Sequence, residues 1–282
     1  MGLHPLIGRK MATVPTGTAQ YLTRFGEQTI TGSQYALAKL GIERENCSLK
    51  IEEYLIACVP FQLGFRRSIF MASLSKQELA FFQKYVNSIV GLSISLNPGK
   101  RPVPIKFFLR CTLSAIGQMK GRENAALLVV DYKSSPDEMI KMLGTYMETQ
   151  ERLKTQYEDY GNTLIKMTAD IAGMIGYNMY ATITQGNAAP RRIQLFSLNT
   201  KTMEYIEAAG SPALAPGTSV AYQLFFKKFR ISVNGTIKAV DTLSQGIIRT
   251  SSYLEFSPEL VEILDEYWYG SHSNSLNKPI MR

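Results

Sequence analysis

The sequence has few of the residue types from which catalytic and metal sites are usually built. Its 282 residues include only two histidines, His4 and His272, and both lie near the termini. The three cysteines, Cys47, Cys58 and Cys111, are odd in number and show neither Cys-x-x-Cys nor Cys/His spacing. We therefore expect no disulfide framework and no zinc site. Nucleophilic catalysis by a Ser/His/Asp or Cys/His set is not expected either.

Patterns for phosphate loops, glycoside chemistry and membrane spans are also missing. The chain has no Walker-type or dinucleotide-type glycine loop, and its acidic residues are not paired in the way that glycoside hydrolysis requires. No segment approaches eighteen uninterrupted apolar residues, and residues 1–31 lack the continuous apolar core of a signal peptide. We therefore expect a cytoplasmic protein that is not an enzyme, uses no cofactor and has no membrane span.

Length, apolar content and charge narrow the possible classes of protein. A chain of 282 residues exceeds the usual size of one domain, and 45% hydrophobic residues suffice for packed cores. The net charge of +8 favours an anionic partner, such as a nucleotide, a nucleic acid or a membrane surface. No run of five basic residues occurs, so a dedicated nucleic-acid-binding protein is the less favoured alternative.

The last quarter of the chain has the pattern of short strands closed by one helix. Pro216-Gly217 predicts a turn, after which apolar residues alternate as in a half-buried strand. Asn234-Gly235 predicts a two-residue hairpin, because both turn positions of that hairpin need positive φ. Strands are then expected at 246–250 and 253–256. Ser257-Pro258-Glu259 has the cap, proline and acidic residue of a helix start, and this helix is expected to close the end of a barrel.

A long helix at residues 136–160 divides the chain. Ser134-Ser135 provides hydroxyl caps, and proline and two acidic residues follow in the first turn. Two interpretations stay open: the helix joins two domains, or it packs on its own domain. Its apolar stripe consists of Met139, Met142, Leu143, Tyr146, Met147, Leu153 and Tyr157.

The first half of the chain repeats this layout of strands and helices. Ser75 and Glu78 form a capping box, which predicts a helix whose apolar face continues to Val90. The expected strands are 49–51, 54–59, 68–72, 105–110, 111–113 and 127–130.

This order of elements resembles the second half of a PilZ domain, the small β-barrel with which bacteria receive cyclic di-GMP. The residues that carry the resemblance are Pro216-Gly217, Asn234-Gly235, Phe256 and the helix 258–267. The first half resembles the PilZ-like companion domain that precedes a PilZ domain in some two-domain bacterial receptors.

The resemblance implies a fold class and a domain organisation. The fold is expected to be mainly β (α+β), with two PilZ-like small β-barrel domains joined by a long helix. The expected parts are an N-terminal extension (1–31), a PilZ-like N-terminal domain (32–160), a C-terminal PilZ-like barrel (161–270) and a flexible tail (271–282).

The ligand motifs of the PilZ family are incomplete here. Nucleotide-binding members carry Arg-x-x-x-Arg before the first barrel strand, and this motif occurs nowhere in the chain. The segment before the expected first strand at 179–184 has Lys166 as its only basic residue. The second family motif, Asp/Asn-x-Ser-x-x-Gly, keeps Ser197 but has Leu195 and Thr200 at its outer positions.

Two hypotheses about function follow from the resemblance. In the first, the protein is a non-catalytic signalling effector that binds cyclic di-GMP through Lys166, Arg191, Arg192, Ser197 and Arg230. In the second, the barrel has lost ligand binding and works as an adaptor that holds a protein partner of the same pathway.

Overall fold

The computed structural model describes residues 17–97, 104–207, 210, 212–226, 229–243 and 246–276, without the side chains of residues 159 and 269–276. The described residues group into two units. The first unit contains those within Met1–Ile30, Cys47–Ser93 and Phe108–Thr145. The second contains those within Thr31–Asn46, Ile94–Phe107 and Tyr146–Arg282.

The first sheet closes into a six-stranded antiparallel barrel. Its order is β1-β3-β2-β5-β6-β7-β4, and a further pairing between β3 and β4 closes the ring, so that β1 is an additional strand beside β3. Side chains of β4 and β7 alternate between the core and the outside, as a barrel wall requires. The strands are β1 (Thr29–Thr31), β2 (Ser48–Ile51), β3 (Tyr54–Gly64), β4 (Arg67–Ser73), β5 (Ile89–Leu96), β6 (Ile105–Gln118) and β7 (Ala125–Tyr132).

Two short helices belong to the first unit, α1 (Thr18–Phe25) and α3 (Lys76–Gln83), whereas α2 (Gln34–Lys39) groups with the second unit. The capping box of α3 is confirmed, because the Ser75 hydroxyl accepts from the Glu78 amide and the Glu78 carboxylate accepts from the Ser75 amide. The predicted extension of this helix to Val90 is wrong. Asn87 has a φ of 71°, a left-handed conformation that cannot continue a helix, and β5 begins two residues later.

The long helix α4 (Asp137–Tyr160) joins the two barrels, and its existence was predicted correctly. Residues up to Thr145 group with the first unit, and residues from Tyr146 group with the second. Leu143 and Leu153 are fully buried, one in each unit. Gly144 makes room for the ring of Tyr21, because a Cβ at this position would overlap that ring.

The second sheet is also a closed six-stranded antiparallel barrel. Its order is β11-β14-β13-β12-β9-β10-β8, closed by a pairing between β11 and β10. The predicted fold class, a mainly β protein with two small barrels joined by a long helix, is therefore confirmed. The strands are β8 (Ile165–Lys166), β9 (Tyr177–Thr184), β10 (Arg191–Leu198), β11 (Thr202–Glu207), β12 (Ser219–Phe226), β13 (Arg230–Thr242) and β14 (Ile248–Leu254).

The hairpin predicted at Asn234-Gly235 is wrong. Both residues lie inside β13, where Asn234 pairs with Ala221 and Gly235 pairs with Val220. The chain reverses between Phe226 and Phe229, whose backbones exchange two hydrogen bonds of 2.8 and 3.2 Å. Glycine is needed at 235 for another reason: a Cβ there would lie 2.5 Å from the carbonyl oxygen of Tyr253.

Two helices, α5 (Ala169–Ile175) and α6 (Pro258–Leu276), complete the second unit. The predicted start of α6 is confirmed, since the Ser257 hydroxyl accepts from the Leu260 amide at 3.3 Å. Leu260, Leu264 and Trp268 of this helix belong to the barrel core. The helix continues into the predicted tail, and residues 277–282 lie outside the described residues.

Within the predicted N-terminal extension (1–31), the structure has α1 and β1 in residues 17–31, and residues 1–16 lie outside the described residues. The two strands predicted at 246–250 and 253–256 are one strand, β14. The domain boundaries themselves stay predictions.

Candidate functional site

All five predicted site residues lie in the second unit, but the side chains of Arg191 and Arg192 project to opposite sides of the barrel wall. The two residues are consecutive in β10, so their side chains leave opposite faces of the strand. Arg191 lies against Glu207, with 3.2 Å between its Nη1 and Oε1 of the carboxylate, and donates to the Pro212 carbonyl at 2.9 Å.

Glu207 is a buried carboxylate. Burial raises the pKa of Glu207, and the charge of Arg191 counteracts part of this increase. Arg191 therefore serves as the counter-ion of a buried group, which limits its availability to a ligand.

Arg192 faces outward onto a row of aromatic side chains. Its guanidinium lies 5.2 Å from the ring centroid of Tyr180, and the Tyr180 and Phe225 rings are 4.8 Å apart. Phe225 is the cross-strand partner of Arg230, which begins β13 and is exposed. Arg192 and Arg230 are thus found at the two ends of one outer row that crosses four strands.

Ser197 and Lys166 are direct partners on β10 and β8. Ser197 is fully buried, and its hydroxyl donates to Oε2 of Glu204 at 2.6 Å. The same oxygen accepts from Nη2 of Arg249 at 2.7 Å. Burial raises the pKa of Glu204. The hydrogen bonds from Ser197 and Arg249 lower this pKa by more than burial raises it, so the net shift is downward. Ser197 therefore orients a carboxylate, while Lys166 is exposed.

Sequence reasoning missed the most ligand-like surface of this barrel, a cation–aromatic face formed by Phe196, Arg249, Tyr253 and Lys238. The Arg249 guanidinium lies 4.8 Å from the ring centroid of Phe196. The ammonium of Lys238 lies 5.1 Å from the ring centroid of Tyr253. Both aromatic side chains are exposed. Such pairs offer a flat surface for stacking and positive charge for an anion.

The bulges of the barrel position this face. β10 has an irregularity between Leu195 and Ser197, which leaves Phe196 without a register partner and turned outward. A second irregularity on β13, between Ile237 and Ala239, contains Lys238. Arg249 and Tyr253 then follow at outward positions four residues apart on β14. The sequence signal for the face is weak, because its basic and aromatic residues are scattered over β10, β13 and β14.

The described part of the chain offers no other chemistry of the usual kinds. Within it, no group of three His, Cys, Asp or Glu residues could hold a metal ion. No helix in the same ranges is long and apolar enough to cross a membrane. The cysteines are buried, and burial raises the pKa of the Cys58 and Cys111 thiols to about 12. Deprotonated, reactive thiols are therefore not expected in the folded protein at neutral pH.

Comparison with known proteins found one family model, which is similar to the first part of the chain. A family model described as the PilZN3 domain matches residues 17–150. The match begins inside the segment predicted as an N-terminal extension, at the residue before α1. A search of curated protein sequences found no match.

Among solved structures, the chain is similar to PlzA of Borreliella burgdorferi in complex with cyclic di-GMP, with 15% identity, a TM-score of 0.47, and coverage of 89% of this chain and 97% of PlzA. It is similar to the inhibitor of motility MotI/DgrA of Bacillus subtilis, with 12% identity, a TM-score of 0.31, and coverage of 83% and 99%. YcgR of Escherichia coli in complex with cyclic di-GMP gives 11% identity, a TM-score of 0.31, and coverage of 86% and 88%. At these TM-scores no binding residue is transferred to this chain.

Proposed function

We propose that this chain is a two-domain protein of the PilZ type and acts as a non-catalytic effector in the cyclic di-GMP pathway. The PilZN3 match to residues 17–150 and the two closed six-stranded barrels support this proposal. The observation that carries the proposal is the cation–aromatic face of the second barrel. Phe196 and Tyr253 are exposed there, and each lies beneath a cation, Arg249 or Lys238.

This face has the chemistry that cyclic di-GMP requires. The ligand has two guanine bases, which stack on aromatic rings and guanidinium planes, and two phosphates, which accept hydrogen bonds from arginine and lysine. Glu204 holds the Arg249 guanidinium in place through a hydrogen bond of 2.7 Å. Ser197, the residue retained from the family motif, orients Glu204 in turn.

The other predicted residues remain candidates with different roles. Lys166 pairs with Ser197 in register. It is exposed near the face and can donate a hydrogen bond to a phosphate. Arg192 and Arg230 belong to the Tyr180 row, which is a second aromatic surface.

Affinity is expected to be low, since the chain lacks Arg-x-x-x-Arg. Two guanidinium forks are missing with that motif, and each charge-assisted hydrogen bond they would make is worth about 1.5–3 kcal/mol.

Calorimetric titration of the full chain with cyclic di-GMP at two salt concentrations tests the proposal. We expect measurable binding that weakens with salt, and a loss of at least tenfold in affinity when Arg249→Ala and Lys238→Ala are combined. Lys120→Ala, an exposed lysine of the first unit, is the matched control and should bind like the wild type. Binding that is unchanged in the double variant would place the ligand elsewhere.

The second candidate function is an adaptor that holds a protein partner without binding nucleotide. It is favoured by the internal roles of two predicted residues, since Arg191 neutralises Glu207 and Ser197 is fully buried. An absence of binding heat with cyclic di-GMP in both salts would select this function.

A further inference from the structure

The outer wall of the first barrel exposes three large apolar side chains. Leu55 is 71% exposed, Ile89 52% and Phe108 77%. They belong to β3, β5 and β6, which are neighbours through β2 in the barrel order. Barrel walls that face water usually present polar residues at outward positions. A group of three exposed apolar residues on adjacent strands is therefore a candidate contact surface, which we call the Phe108 patch.

An open cleft of about 440 Å³ is lined by Ile89 and Phe108 of the patch but not by Leu55. Gly91 also lines the cleft and pairs in register with Lys50, which itself pairs with Leu55. The backbone does not require glycine here, because Gly91 does not have a positive φ. A Cβ at this position would meet only the Lys50 Cβ, at an ordinary distance of 3.8 Å. The glycine therefore leaves open space above the sheet, between Ile89 and Phe108.

The charged side chains around the cleft are mainly positive. Lys50 and Arg110 line it and are exposed. The only carboxylate in the lining is Glu52, which accepts a hydrogen bond from the Tyr85 hydroxyl at 3.1 Å. An apolar cleft with two cations complements an apolar side chain that has carboxylates beside it. A second copy of this chain fits less well, because its net charge is +8.

We propose that the Phe108 patch is the docking site for an acidic, amphipathic segment of a partner protein. An apolar side chain of the segment enters the cleft above Gly91, and carboxylates on both sides of it pair with Lys50 and Arg110. The apolar anchor supplies most of the affinity, while the two cations set orientation and specificity. This inference does not depend on whether the second barrel binds cyclic di-GMP, because the Phe108 patch belongs to the first unit.

The test is a random peptide library displayed on phage and selected against the full chain. We expect the selected peptides to combine apolar residues with neighbouring aspartate or glutamate, and to bind at least tenfold more weakly to Phe108→Ser in fluorescence anisotropy. Gly91→Leu, which fills the cleft while Phe108 stays in place, should give a similar loss. Leu164→Ser removes an exposed leucine from the second unit and should have no effect.

Several outcomes would overturn the proposal. Selected peptides that lack acidic residues, or that bind both variants like the wild type, would exclude an acidic partner at this surface. Self-association of the chain that Phe108→Ser abolishes would assign the patch to a second copy. Binding to vesicles of anionic phospholipid that both variants lose would assign it to a membrane. Circular dichroism verifies that the variants fold, and the nucleotide titration is independent of this result because it reports on the second barrel.

Discussion

Glu204 and Glu207 lie three residues apart on β11, and their side chains occupy opposite faces of the barrel wall. Glu204 accepts hydrogen bonds from Ser197 and Arg249, and the net shift of its pKa is downward. Burial shifts the pKa of Glu207 upward. One strand thus holds two carboxylates whose ionisation affects folding in opposite directions.

The two carboxylates predict opposite pH dependences of stability. Glu204 stabilises the fold above its ordinary pKa of 4.5, so the wild type should lose stability relative to Glu204→Gln as the pH falls below that value. Glu207 has a raised folded-state pKa, so the wild type should lose stability relative to Glu207→Gln as the pH rises above 4.5. Urea unfolding followed by the fluorescence of Trp268, the single tryptophan, measures both differences. Differences of the same sign would contradict the assignment.

Replacing the two neighbouring arginines should have unequal effects on stability. Arg191→Ala leaves the buried Glu207 without its counter-ion, and we expect a loss of about 1–3 kcal/mol in the free energy of unfolding. Arg192→Ala removes only an exposed contact with Tyr180, for which we expect at most about 0.5–1 kcal/mol. The same Trp268 unfolding curves compare the two variants. Equal losses would mean that Arg191 is not the counter-ion of Glu207.

Two strand glycines form another matched pair. Gly235→Ala would place a Cβ 2.5 Å from the Tyr253 carbonyl oxygen, and we expect a loss of about 1–3 kcal/mol or more from this overpacking. Gly91→Ala meets only the Lys50 Cβ, at an ordinary distance of 3.8 Å, and should leave the rate of thiol labelling of the buried cysteines in its own unit unchanged. If Gly235→Ala is tolerated as well as Gly91→Ala, then the backbone of β14 does not lie as close to Gly235 as the structure shows.

Features that depend on residues close together in the sequence were predictable. Gly235 is an example of a feature that was not, because it depends on a distant residue. The capping box of Ser75 and Glu78 and the start of α6 at Ser257 were recognised because each forms within one helical turn. Asn234-Gly235 has the sequence of a tight turn, but Gly235 is required by Tyr253, which lies on another strand. No local pattern contains that information.

The candidate site was partly predictable for the same reason. Ser197 and Lys166 were identified from their positions relative to a family motif, and they are direct partners in the barrel. Phe196 and Arg249 were missed because they are 53 positions apart in the sequence and meet only through the pairing of β10, β11 and β14. The opposite directions of Arg191 and Arg192 follow from strand alternation in β10, but the internal role of Arg191 depends on the burial of Glu207, which the sequence does not show.

The helix α4 offers a test of how its two ends stabilise different barrels. Leu143→Ala and Leu153→Ala each truncate a fully buried side chain, at an expected cost of about 2–5 kcal/mol. Leu153 groups with the second unit and should shift the Trp268 transition. Leu143 groups with the first unit, which also contains all three buried cysteines, and should accelerate thiol labelling. Identical effects of both variants on both probes would show that the units unfold together.

The closure of both sheets limits the ways in which this protein can bind a partner. Each six-stranded ring pairs every one of its strands on two sides, and the additional strands β1 and β8 contain only three and two residues. In the described part of the chain, no long edge is therefore available to which a partner could add a strand. At the barrel walls, recognition therefore depends on projecting side chains and not on strand addition. Binding properties can then change through substitutions at outward positions while the hydrogen-bonded framework of each barrel stays the same.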